Sequence, residues 1–242
     1  MELVALANTL RENRDKITKG DGKFTLSADL LNKLNSHINL LIERREMNVS
    51  FHVASVTSET KEVYNDLLYL YNFIKTASSL KLIGDKSEFA NVSKFANLKV
   101  LELYKVNAST VLGLERLRPK IECLICQRSL CSIKDILKRR PDECDGSVDT
   151  WLELKEICFS HNSLQSIDDC VKLVPYLSTL DLSHNELKVV ENLSYLINLK
   201  HLNLSFNKLT CVPLLSGQVC SRLQVNFLQT ILLGWQESNF GL

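Results

Sequence analysis

A pattern that returns along the chain constrains its fold more than any other feature. Leu154, Ile157, Phe159, Asn162 and Leu164 hold positions 1, 4, 6, 9 and 11 of one copy. The next copy is Leu177, Leu180, Leu182, Asn185 and Leu187, and the third is Leu199, Leu202, Leu204, Asn207 and Leu209. Their starts lie 23 and 22 residues apart. Two weaker copies precede them: Leu98/Leu101/Leu103, with Val106 at position 9, and Ile121/Leu124/Cys126, with Ser129 there. A partial copy, Ala77/Leu80/Leu82, opens the array. Positions 4 and 6 share one face of a short strand because side chains alternate along it. No single copy can bury that face, so neighbours must stack around one continuous core. The Asn at position 9 turns the chain, and its amide can satisfy backbone groups that would otherwise be buried unpaired.

This periodicity predicts an α/β leucine-rich repeat solenoid, with short parallel strands on a concave face and short helical or irregular convex segments. Leu193 and Leu196 continue the pattern at helical spacing and should line the inner side of the convex segment. A step of 33 residues from Ile121 to Leu154 places an insertion near 138–147, where Pro, Asp and Gly mark a loop. The repeats, about five, occupy 76–213. Residues 1–75 read as a helical N-terminal cap over the open end of the array. Leu3, Leu6, Ala7 and Leu10 suit a first helix. Ser27 can cap a second that carries Leu30, Leu31, Leu34, Ile38, Leu41 and Ile42. Val49, Phe51 and Val53 alternate as a strand would, and a third helix from about Ser58 carries Val63, Leu67, Leu70, Tyr71 and Ile74. Residues 214–242 break the pattern: Leu223, Val225 and Phe227 can make a last strand, and an apolar run follows from Ile231 to Trp235. That segment is either an improvised cap or the sign of a truncated array.

Charge and composition narrow the function. With 29 basic and 28 acidic side chains the net charge is +1, which disfavours a nucleic-acid binder. No apolar run reaches the ~20 residues a transmembrane helix needs, and the N-terminus lacks a secretion signal. A cytoplasmic chain with free thiols is expected. Cys123-x-x-Cys126, with Cys131 and Cys144, has metal-like spacing, but positions 3 and 6 of one strand face opposite ways, so no metal site is expected. Asp181, Ser183 and His184 carry the residue types of a hydrolase triad. The Ser-His-Asn part recurs one repeat earlier at Ser160 to Asn162, which marks it as scaffold. Gly20-Asp-Gly22 is a turn without the rest of a phosphate loop. The chain is therefore expected not to be an enzyme and to take no cofactor and no small-molecule substrate.

What remains is surface. Exposed positions supply Lys99, Glu102, Tyr104 and Lys105, then Glu122, Ile125, Gln127 and Arg128, then Lys155, Glu156 and His161, and last Asp181, His184, Lys200, His201 and Phe206. Position 8 forms a column of Lys105, Arg128, His161, His184 and Phe206. Mixed charge with aromatic and Arg anchors suits protein recognition. The candidate partner-binding residues are Tyr104, Lys105, Arg128, His161, Asp181, His184, His201 and Phe206.

Five segments carry a narrower resemblance: SLKL (Ser79 to Leu82), LICQRSL (Leu124 to Leu130), FSHNSL (Phe159 to Leu164), LDLSHN (Leu180 to Asn185) and LSFNKL-x-x-VP (Leu204 to Pro213). In that order, with the long step kept, they resemble the N-terminal repeats of the serine/threonine-protein kinase 11-interacting protein family. The related nischarin family is similar but begins with a phox domain, for which residues 1–75 are too short and too helical. The resemblance implies a cytoplasmic scaffold or adaptor that binds serine/threonine kinase 11 and influences where it resides, with no activity of its own. The alternatives are a nischarin-like endosomal scaffold and a leucine-rich-repeat phosphatase regulator.

Overall fold

A computed structural model of the chain describes residues 2–18, 22–46, 58–84, 89–138, 149–210 and 224–226. It opens with helix α1 (Glu2–Thr18), a short strand β1 (Thr25–Ser27), and helices α2 (Ala28–Glu46) and α3 (Ser58–Thr76). There follow β2 (Ser79–Ile83), β3 (Ala90–Asn91), β4 (Val100–Tyr104), β5 (Val111–Leu112) and β6 (Cys123–Gln127). A single helical turn, α4 (Lys134–Leu137), precedes β7 (Glu156–Cys158), β8 (Thr179–Asp181), β9 (His201–Asn203) and β10 (Gln224–Asn226). Among the described residues the strands form one parallel sheet in the order β1-β2-β4-β6-β7-β8-β9-β10, while β3 and β5 pair in a separate two-stranded sheet.

The register is that of the repeat: Leu101, Leu124, Ile157, Leu180 and Leu202 stand opposite one another along β4, β6, β7, β8 and β9. Those residues and the position-6 set Leu103, Cys126, Phe159, Leu182 and Leu204 are all buried. The far wall of the core is built from short turns, as a period of 22 or 23 residues demands. The 3-10 turns are Ala108–Thr110, Asp169–Leu173 and Leu193–Tyr195. Leu193 and Leu196 point inward as their spacing predicted.

The position-9 asparagines act as internal clamps. The Asn185 Nδ2 donates to the carbonyls of Phe159, Leu182 and Ser183, and its Oδ1 accepts from the Leu164 N–H. Asn207 repeats the arrangement one turn on, with Leu182, Leu204 and Ser205 as acceptors and Leu187 as donor. Asn162 reaches back into the copy that lacks the residue, accepting from the N–H groups of Ser129 and Leu130 and donating to Cys126. Ser129, standing where Asn is absent, donates its hydroxyl to the carbonyls of Leu103 and Gln127.

At the N-terminal end the helices cover the sheet edge. Phe24 meets Phe73 edge-on at 5.1 Å and Phe95 at 6.4 Å, joining the stretch before β1, helix α3 and the repeats in one apolar seam. Strand β1, which the alternation did not announce, pairs with β2 through Thr25–Lys81 and Leu26–Leu82. Ser27 ends it and caps α2, accepting from the Leu30 N–H at 3.1 Å. The flanks of the insertion are pinned from inside: the indole of buried Trp151 donates to Leu137, and buried Arg118 donates to the Lys138 carbonyl. The strand expected at Val49, Phe51 and Val53, the body of the insertion, Gly20 with Asp21, Cys144, and the run from Ile231 to Trp235 lie outside the described residues. Within them, no helix is long and apolar enough to cross a membrane.

Candidate protein-binding edge

In the three full and the two weaker copies alike, the strand is followed by a residue that bends the chain out of the sheet, and it is the residue at position 8. Lys105, Arg128, His161, His184 and Phe206 all take left-handed backbone, with φ of 59, 54, 56, 54 and 57°. Backbone hydrogen bonds persist through this bend: the N–H of Lys105 donates to Gln127, Arg128 to His161, His161 to Ser183, and His184 to Ser205. The same backbone state on five turns therefore throws five side chains out along one line, and all five are exposed. A left-handed conformation disfavours any residue with a Cβ, by about 1–2 kcal/mol.

Two parts compose that line. The His161 and His184 rings stack at 4.2 Å and 13°, and His184 stacks on Phe206 at 4.2 Å and 10°. At the other end half-buried Tyr104 lies among cations, with Lys81, Lys105 and Arg128 at 5.8, 5.5 and 6.0 Å from its ring centre. The structure thus brings together six of the eight residues singled out from sequence. Asp181 is elsewhere, its carboxylate accepting from the Ser183 N–H at 2.8 Å to hold the turn. His201 sits on β9 opposite Thr179, exposed, five residues before Phe206 and down the sheet from the stack.

Glu102 corrects an expectation. Counted as an exposed sheet-face position, it is 6% exposed, with Lys23, two residues before β1, and Lys81 of β2 against its carboxylate. Its carboxylate is held by Lys23 at 2.5 Å and by Lys81. Burial pushes its pKa upward, but the two ammonium groups outweigh this and leave it below the ordinary value. No sequence signal pairs Lys23 with Glu102, since the contact depends on the unannounced strand.

Among the described residues, which do not include Cys144, neither chemistry suggested by residue type is assembled. The Ser183 side chain is buried while the His184 ring lies in the stack, so these two do not form a nucleophile–base pair. Cys126 faces the core and Cys123 the opposite side of the strand. Burial pushes the Cys123 thiol up to about 11. Asp168, Asp169 and Cys170 do come within 4.8 Å of one another. Asp168, however, accepts from the Cys170 and Lys134 N–H groups and from Ser132, which makes it a structural cap, and Asp169 pairs with Lys172 at 2.5 Å.

The repeat register, the asparagine clamps and the parallel ladder define a leucine-rich repeat protein. Residues 1–86 match the family model described as LKB1 serine/threonine kinase interacting protein 1. The chain is also 30% identical over 218 residues to the human serine/threonine-protein kinase 11-interacting protein, and 29% identical over 217 residues to its chicken counterpart. Each match takes in 86% of this chain, which spans 20% of the length of these curated relatives. Over about a fifth of their length, the chain is thus similar to the serine/threonine-protein kinase 11-interacting proteins. Among solved structures, a Listeria monocytogenes internalin-like protein is similar at 20% identity and a TM-score of 0.40, covering 62% of this chain and 44% of that one.

Proposed function

We propose that this chain is a non-catalytic, cytoplasmic protein-interaction module that docks serine/threonine kinase 11 on the edge formed by its position-8 side chains, and so influences where the kinase resides. One observation carries the reading: five consecutive turns hold exposed Lys105, Arg128, His161, His184 and Phe206 in line by a shared backbone state that the core does not require of their side chains. Rigidly held aromatic rings and an Arg are the usual anchors of protein interfaces, because they bury much area at little entropic cost. The names of the relatives supply the kinase as the partner to test first. Asp181 and His201 belong to the open sheet face and are proposed as a secondary contact.

The test is a binding isotherm between the purified chain and serine/threonine kinase 11, with circular dichroism checking that each variant is folded. Micromolar or tighter binding, weakened about tenfold or more by Phe206→Ala and by Arg128→Ala, is the expected result. Binding by the parent chain that neither substitution touches removes the edge as the site, and no binding by the folded chain removes the kinase as its partner.

A further inference from the structure

The edge has a groove in its basic half. Lys105, Arg128 and His161 line a cavity of about 410 Å³ together with Asn107, Cys131 and Ser163, and no described acid lines it. Neither Lys105 nor Arg128 forms an ion pair among the described residues; each only approaches the face of Tyr104. Two cations on adjacent turns repel one another, and an anion held between them reverses the sign of that interaction. His161 closes the groove on the far side. Among the described residues its ring is stacked on one side only, by His184. The aromatic stack therefore ends at the groove.

We propose that this groove receives a phosphotyrosine side chain from a partner protein, its phosphate taken by Arg128 and Lys105 and its ring laid on His161 to extend the stack. The inference rests on the reading of this edge as the partner-binding surface and adds the chemistry it recognises. A guanidinium can grip phosphate oxygens in pairs while an ammonium adds a point charge. The volume is of the order that houses a ring with its substituent (ligand sites run from ~300 Å³ upward). A phosphoserine would satisfy the cations but leave the end of the stack bare. A nucleotide also joins a planar ring to phosphate; the net charge of +1 gives a nucleic-acid backbone no general attraction, and a free nucleotide is separated from a phosphopeptide by competition.

The test uses the full chain and labelled acetyl-Ala-Ala-X-Ala-Ala-amide peptides, read by fluorescence anisotropy at fixed salt, with X as phosphotyrosine, tyrosine or phosphoserine. The expected order is phosphotyrosine at least tenfold tighter than tyrosine and at least fivefold tighter than phosphoserine, with phenyl phosphate as a competitor. Lys105→Gln and Arg128→Gln should each weaken phosphotyrosine binding fivefold or more, and Lys200→Gln, an exposed lysine on the sheet face, should not. His161→Ala should abolish the preference over phosphoserine and keep part of the phosphate affinity. Equal binding of tyrosine and phosphotyrosine overturns the proposal, as do equal loss with Lys200→Gln, indifference to His161→Ala, and displacement by adenosine monophosphate as strong as that by phenyl phosphate. The two readings separate cleanly: kinase binding weakened by Phe206→Ala, in a chain blind to phosphotyrosine, keeps the edge and removes its phosphate chemistry. Phosphotyrosine binding without kinase binding retains the chemistry and removes the partner.

Discussion

Replacing Asn185 by Ala tests whether the position-9 asparagines hold the array or merely decorate its turns. The side chain is 6% exposed and makes four hydrogen bonds: to the carbonyls of Phe159 and Leu182 at 2.9 Å, to Ser183 at 3.2 Å, and from the Leu164 N–H at 3.1 Å. Alanine leaves the Leu164 donor unpaired in the interior, a cost of about 1–3 kcal/mol. The carbonyls have second lone pairs and suffer less, so we expect a total loss of about 3 kcal/mol, roughly a hundredfold in the folding equilibrium. Asn203→Ala is the internal control. It is the same chemical change at position 5, where the half-buried side chain makes a single bond, from the Ser205 N–H at 3.1 Å, and should cost about 0.5–1 kcal/mol. Urea unfolding followed by circular dichroism gives both numbers, and hydrogen exchange at the Leu164 amide reports the broken bond directly. If the two variants fall within about 0.5 kcal/mol of each other, a margin ordinary for surface changes, or if Leu164 stays protected in Asn185→Ala, the clamp argument is wrong.

Three further outcomes follow from the same geometry. Lys105→Gly should leave the melting temperature unchanged or raise it, because glycine is at ease at φ 59°, whereas Lys105→Val should destabilise the chain by about 1–2 kcal/mol since a β-branched residue is not. Gly113→Ala should cost about 2 kcal/mol or more, because at φ +85° an added Cβ would stand 2.5 Å from the Ser93 backbone nitrogen; an unchanged thermal melt would contradict this. Glu102, whose pKa is lowered in the folded chain, adds stability above the unfolded carboxylate value (~4.3) that fades as pH falls through the lowered folded one. Glu102→Gln should therefore lower stability by about 1–2 kcal/mol at neutral pH and by markedly less near pH 3 in paired thermal melts.

Most of the scaffold was legible because burial writes itself into residue type at a fixed period. Leu180 and Leu182 announce a strand, Asn185 its turn, and the partial copy at Ala77, Leu80 and Leu82 is a true strand of the same sheet. The column at position 8 was legible as a list of residues on one line. What the list could not show is the left-handed backbone they share, since none of the five is the glycine or asparagine that usually signals it. Nor could it show that three of the rings stack, because stacking depends on the pitch between turns. Strand β1 escaped because three residues between two helices are too few for alternation to register. With β1 unseen, Lys23 had no known place, and Glu102 passed for a surface residue.

The distinction between positions 9 and 8 also separates what the fold needs from what it does not. Inside, Leu182 or Asn185 answers to a buried environment that rejects other residues. At position 8 the side chains are exposed and the backbone state is one that glycine would reach with less strain, so the fold gains nothing from a Cβ there. Ring stacking returns part of the cost at His161, His184 and Phe206, since such contacts contribute about 0.5–1.5 kcal/mol. Lys105 and Arg128 lack that stacking: they share the strained backbone, and each has only the face of Tyr104, at 5.5 and 6.0 Å, a contact that contributes about 0.5–1 kcal/mol at an exposed site. Among the described residues no acid balances the two cations, and the anion proposed for the groove would do so, which gives the basic half of the edge a reason to bind that its better-packed aromatic half lacks.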